Sequence, residues 1–126
     1  MARIVLVHDD PEFSDHARTA LRAAGHEVAA YSGSMEALHA LRQEEDVHLL
    51  VTRVRLPEGT PHGIALVRMA QSRRPGLKII FTARPDMEEF TEGLGELIPH
   101  PVRIPDLVDA VNRLLDADEP SFRSCA

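Results

Sequence analysis

Residues 4–24, IVLVHDDPEFSDHARTALRAA, decide how this chain folds. Ile4 to Val7 is an unbroken apolar run rich in β-branched side chains, the pattern of a strand covered on both faces. Asp10-Pro11 follows at once, an N-cap residue with proline at the first helical position. Phe13, Ala17, Ala20, Leu21 and Ala24 then recur at helical spacing, and Gly25 stops the helix. A strand covered on both faces that turns directly into an amphipathic helix belongs in a parallel sheet packed between helices.

The same alternation continues outward from this segment. Glu27 to Tyr31 reads as a second strand, and Ser34 is placed to cap a helix with Ala37, Leu38 and Leu41 on one stripe. Val47 to Val51 is the next buried strand, ending in Thr52-Arg53. A loop with two prolines and two glycines, Pro57 to Gly63, leads into a helix with Ile64, Val67 and Ala70 inward, closed by Pro75-Gly76. Leu77 to Phe81 is the fourth strand and ends at Thr82-Ala83. Pro85-Asp86 opens a short acidic helix with Met87, Phe90 and Leu94 on one side. Glu96 to Ile98 is a weak fifth strand. After His100-Pro101, Pro105 opens a last helix carrying Leu107, Val108, Val111, Leu114 and Leu115. Residues 118–126 read as a polar tail behind a domain of residues 1–117.

Strand and helix alternate five times, which calls for a doubly wound five-stranded parallel sheet with helices on both faces. Such sheets bind at the carboxyl ends of their strands, where the strand order reverses. The residues to interrogate are therefore His8, Asp9, Asp10, Arg53, Thr82 and His100.

Composition narrows the function. A chain of 126 residues with 44% hydrophobic and 27% charged residues is long enough for one domain with a proper core. Its net charge of −6 leaves no basic surplus for nucleic-acid phosphates. No apolar run approaches the ~20 residues of a membrane span, and the N-terminal run is too short for a signal peptide. The single cysteine, Cys125, cannot form an internal disulfide framework. A cytoplasmic protein is expected. His16, His26, His39, His48 and His62 read as surface residues, Glu44-Glu45-Asp46 and Glu88-Glu89 as solvated faces, and Arg73-Arg74 is too short for a nucleic-acid patch.

From about Ile4 to Leu115 the strand ends resemble the receiver domain of response regulators, the CheY-like family. Residues 4–12, IVLVHDDPE, resemble its first strand and acidic cluster; residues 49–57, LLVTRVRLP, its third strand and phosphoacceptor loop. Residues 79–83, IIFTA, match its fourth strand with a hydroxyl followed by a small residue, and residues 98–101, IPHP, stand where it has a lysine-proline pair. The resemblance implies a flavodoxin-like sheet of order 2-1-3-4-5 and a role in two-component or phosphorelay signalling. It also implies that the fourth helix, fifth strand and fifth helix form the face that meets partners.

The departures bear on the chemistry. Such domains carry the phosphoryl group on an aspartate four residues before the loop proline, and here that place holds Arg53. His100 replaces the lysine, His8 replaces one of the acids, and Leu97 stands where a switching aromatic is common. The loop from Pro57 to Gly63 is also longer than the common form, by about two residues. A guanidinium stays protonated and offers no nucleophile. A fixed cation also opposes Mg2+, which prefers a carboxylate-rich oxygen site. Arg53 either pairs with Asp9 or Asp10 through its planar fork or points to solvent. His8, Asp9 and His100, at one end of what should be neighbouring strands, form a weaker candidate for a transition metal. Thr82 could simply cap a strand end.

The reading is a stand-alone degenerate receiver of bacterial signalling, a protein-interaction module that is neither an enzyme nor a phosphoacceptor and uses no cofactor. Its partner is a signalling protein met through Asp86, Glu88, Glu89, Glu92, Glu96 and Leu97, with no nucleic acid or membrane involved; self-association into a homodimer is compatible with it. Two rivals remain: a receiver phosphorylated on Asp9 or Asp10, and a small-anion or metal sensor built on Arg53, His8 and His100.

Overall fold

Ile4, Leu6, Leu49, Val51 and Ile80 face one side of a sheet and Val5, Val7, Leu50, Ile79 and Phe81 the other, and all are buried. Side chains alternate across a strand, so a strand covered on both faces must be apolar at every position. The computed structural model describes residues 3–43, 47–54 and 63–116. The acidic run Glu44-Glu45-Asp46, most of the Pro57 to Gly63 loop with His62, and the tail with Cys125 lie outside them.

The strands are β1 (Arg3–Val7), β2 (Glu27–Tyr31), β3 (Leu49–Arg53), β4 (Lys78–Ala83) and β5 (Glu96–Pro99). They form one sheet in the order β2-β1-β3-β4-β5, and every neighbouring pair is parallel. Helices α1 (Pro11–Ala23) and α5 (Ile104–Asp116) supply Ala17, Leu21, Leu107 and Val111 to one core layer. Helices α2 (Ser34–Gln43) and α3 (Gly63–Arg73) supply Ala37, Leu38, Leu66 and Val67 to the other. Methionine 87 and Leu94, flanking the four-residue helix α4 (Glu88–Thr91), pack against this second layer.

Local chemistry accounts for most of the boundaries. Asp10 caps α1, its Oδ1 accepting from the Glu12 amide at 3.1 Å with Pro11 in the first turn. Gly25 follows the helix at φ +96°, a conformation that suits glycine. Four details differ from the sequence reading. Ser34 does not cap α2: Gly33 O accepts the first helical bond from Ala37 N, and the buried Ser34 hydroxyl has no partner. The ladder of β3 starts at Leu49, with Val47 buried just ahead of it. Phe90 is 51% exposed and so leaves the inward stripe of Met87 and Leu94. His26 is half-buried, its Nε2 hydrogen-bonded to Asn112 Oδ1 of α5 at 2.8 Å.

Candidate functional site

The strand order reverses between β1 and β3, since the chain winds outward from β1 to β2 and then crosses back to β3. His8, Asp9 and Asp10 leave the end of β1, Arg53 ends β3, Thr82 lies in β4, and His100 follows β5. Register puts Arg53 directly beside Thr82. The sheet order separates His8 from His100 by β3 and β4, so they do not stand on neighbouring strands.

Arg53 is anchored through its backbone. The amide of Val54 donates to Thr82 O at 3.1 Å, and Gly63, opening α3, donates to Val54 O at 2.9 Å. A Cβ at Gly63 would sit 1.9 Å from the Arg53 carbonyl oxygen, so only glycine lets α3 approach this closely. The Arg53 side chain crosses to β1, where Nη1 donates to Asp9 Oδ1 at 2.6 Å. Burial alone would raise the Asp9 carboxyl, but the Arg53 hydrogen bond and charge outweigh it and hold the group below the usual carboxylate range. Asp10 has no such bond to Arg53; its carboxylate caps α1.

His8 is buried, with its ring centroid 4.3 Å from that of Phe13. Its Nδ1 accepts from the Asp10 amide at 3.2 Å, which assigns the proton of the neutral ring to Nε2. Desolvation, then the nearby Arg53 cation, lower its pKa to about 4 against the pull of Asp9 and Asp10. His100, half-buried, is also lowered, by burial first and by Arg53 second, with Asp9 opposing. Both imidazoles are therefore neutral at pH 7. Among the described residues, no group of three His, Cys, Asp or Glu is placed to hold a metal ion.

Thr82 is fully buried and its Oγ1 has no hydrogen-bond partner, so it caps nothing. Arg53 Nε is likewise buried and unpartnered. Both line a cleft of about 150 Å³ with His100, Arg84, Ala83 and Met87. Arg84, Gly63 and the Phe13 ring are parts of this region that the strand-end reading passed over. Arg84 was within reach of that logic, being the first residue after β4. Nothing local marks Gly63 as the glycine packed on Arg53.

The second surface of interest is α4–β5. Glu88, Glu89 and Glu92 are exposed there, and Leu97 is half-buried. Glu96 is not a free acid: Arg113 of α5 grips both its carboxylate oxygens. Asp86 is held by Arg84, with Nη2 2.6 Å from Oδ2. A groove of about 450 Å³ runs between Glu88, Glu92, Thr91 and Leu97.

Among curated proteins nothing matches significantly. Among solved structures, a CheY-like response regulator receiver domain protein from Methanospirillum hungatei JF-1 is 28% identical, with 96% of this chain and 98% of that chain covered and a TM-score of 0.84. The receiver domain of the hybrid histidine kinase CckA is 25% identical over 90% of this chain and 99% of that one, TM-score 0.76. A receiver domain protein from Clostridium thermocellum, 22% identical over 94% and 98% with a TM-score of 0.83, shares the fold. The model of the response regulator receiver domain matches residues 4–112, nearly the whole described chain, and the chain belongs to that family.

Proposed function

We propose that this receiver domain acts in two-component signalling as a phosphorylation-independent protein-interaction module, with no catalysis of its own. One observation carries the reading: the Arg53–Asp9 ion pair fills the place where the family resemblance puts an acceptor aspartate facing an acidic cluster. Phosphoryl transfer to a carboxylate needs a nucleophilic oxygen, Mg2+ to gather charge and a fixed cation beyond it. Arg53 is no nucleophile. The acids suit Mg2+ poorly, because Asp9 Oδ1 is taken by Arg53 and Asp10 Oδ1 by the Glu12 amide. His100, neutral at pH 7, supplies no fixed cation in the lysine position.

What remains to act is surface. Glu88, Glu89 and Glu92, with the exposed Phe90 among them, would suit a signalling partner with a basic patch around an apolar contact. Among the described residues no helix is long and apolar enough to cross a membrane, and the net charge of −6 disfavours nucleic acid as the partner.

Incubation with acetyl phosphate and Mg2+, followed by intact-mass measurement, tests the reading. The expected result is an unmodified chain. An acid-stable, base-labile acyl phosphate at near-stoichiometric yield would overturn it, and mapping that group to Asp9 or Asp10 would establish an atypical phosphoacceptor instead.

A further inference from the structure

The two outer strands of the sheet are guarded unequally. An unpaired strand edge is a template for another chain unless proline, charge or a covering element blunts it. The β5 edge is blunted: the strand is four residues long, ends in Pro99, and has its first residue, Glu96, gripped by Arg113. The β2 strand closes the opposite end of the sheet, and between Glu27 and Ser32 it carries neither charge nor proline. A groove of about 470 Å³ runs along it, lined by Arg22 and Val28 from one face and by Glu27, Ala29 and Tyr31 from the other. A groove that takes side chains from both faces of one edge strand has the shape of a further strand.

The backbone of β2 fixes how that strand would bond. Tyr31 O accepts from the His8 amide at 3.0 Å and so faces β1. The amide and carbonyl of one strand residue share an edge, and the edge alternates along the strand, so Val28 and Ala30 face outward. Arg22 of α1 agrees, its Nη2 donating to Val28 O at 3.3 Å. A carbonyl has two lone pairs, which leaves one for an incoming amide. Outward residues at this spacing are self-complementary: about a two-fold axis at Ala29, Val28 of one copy and Ala30 of the other exchange both N–H···O bonds, twice over. Ala29 is small enough to meet itself on the axis, and Glu27 comes opposite Tyr31, an acceptor against a hydroxyl donor.

Charges beside the strand fit the same axis. Helix α1 runs against the direction of β2, placing exposed Arg22 beside Val28 and exposed Asp15 in the cleft with Ala30 and Tyr31. The two-fold therefore sets Arg22 of each copy at the Asp15 end of the other. Asp15 has one oxygen on Arg18 and the other unbonded among the described residues.

We propose that the β2 edge is a self-association surface, at which a second copy of this chain pairs antiparallel through Val28 and Ala30, with Arg22 of each copy facing Asp15 of the other. The two five-stranded sheets then join into one. Because β5 lies at the far end of each sheet, the pair turns its two α4–β5 faces outward and holds a two-site partner more tightly than either copy alone. This self-pairing goes beyond the interaction-module role and fails separately from it, since a monomer keeps its α4 surface.

The test is sedimentation equilibrium of the full chain from about 10 µM to about 1 mM, the range of small, transient interfaces. The weight-average mass should rise from 14.0 kDa toward twice that value. Hydrogen exchange at the Val28 and Ala30 amides should slow with concentration, while the α4 amides stay unchanged. Ala30→Pro removes an outward amide that the fold does not use, at an edge position where proline is tolerated. It should weaken association at least about tenfold through two lost hydrogen bonds. Arg22→Glu, at an exposed position, should weaken it about threefold by opposing Asp15 of the second copy. Adding Asp15→Arg restores both the pairing and the net charge of −6 and should return the affinity. Adding Glu88→Lys instead restores the same net charge away from β2 and should not. A mass that stays at 14.0 kDa to the highest concentration would overturn the proposal. So would association that leaves the Val28 and Ala30 amides unprotected, or that Ala30→Pro and Arg22→Glu both leave intact.

Discussion

The guanidinium of Arg53 joins the ends of the two strands where the sheet reverses, donating from Nη1 to Asp9 Oδ1 at 2.6 Å. The pair is neither sealed nor free, with side-chain exposures of 28% for Arg53 and 38% for Asp9. Water therefore screens it from the Asp9 side, and it falls between exposed pairs, worth about 0–1 kcal/mol, and buried pairs, whose disruption costs about 3–5 kcal/mol.

Arg53→Ala should accordingly destabilise the fold by about 1–2 kcal/mol, read from denaturant midpoints at neutral pH. The double variant with Asp9→Ala should recover at least about 0.5 kcal/mol relative to the sum of the single changes. Strict additivity would mean that the two side chains are energetically independent, and the locked crevice would lose its basis.

How far the sequence could be read depended on the range of the interactions. Periodicity and turn chemistry are local, so the Ile4–Val7 run, the Asp10-Pro11 cap and the alternation of strands and helices were legible, whereas the sheet order came only with the family resemblance. The strand ends named His8, Asp9, Asp10, Arg53, Thr82 and His100, and the structure brings them to one end of the sheet, where they are distributed over three clefts. What stayed hidden was set by neighbours distant in sequence. Arg53 had two acids within reach, and Asp10 was already committed to the Glu12 amide. Glu96 looked like one more acid on the α4–β5 face until α5 brought Arg113 onto it. The close approach of Gly63 to the Arg53 carbonyl, and the stacking of His8 on Phe13, depend on helix placement that no local pattern encodes.

His8 makes the fold sensitive to acid. Its folded pKa of about 4 lies below the ordinary 6.5, so on acidification the unfolded chain binds the proton first. The stability contributed by neutral His8 is complete above about pH 6.5 and is lost as the pH falls from there toward about 4. His100 and Asp9, both lowered, act in the same direction, Asp9 at lower pH. Between about pH 7 and about pH 4.5 the His8 part alone amounts to about 2 kcal/mol. His8→Gln, which cannot titrate, should flatten the stability curve by about that amount over the same window. Urea midpoints across the range decide it: an unchanged slope in His8→Gln would place the titrating group elsewhere.

The last prediction separates surface from crevice. Glu88 and Glu89 are exposed on the four-residue helix α4, and Phe90 beside them leaves half its surface in water. Neither acid supports the fold through a side-chain bond among the described residues, whereas Glu96 and Asp86 are each held by an arginine. Reversing both charges, Glu88→Lys with Glu89→Lys, should therefore shift the denaturant midpoint little, within about 0.5 kcal/mol. It should nonetheless weaken capture of a partner bearing a basic patch, chiefly by slowing encounter, and most strongly at low salt. Arg53→Ala should reduce capture only in proportion to the unfolded fraction it creates. Pull-downs of the two variants, normalised to folded protein and run at low and high ionic strength, make the comparison. Equal capture and equal salt dependence for wild type and the reversed variant would remove α4 from the interface, because an acidic face that guides a basic partner cannot be inverted without changing the rate at which the two meet.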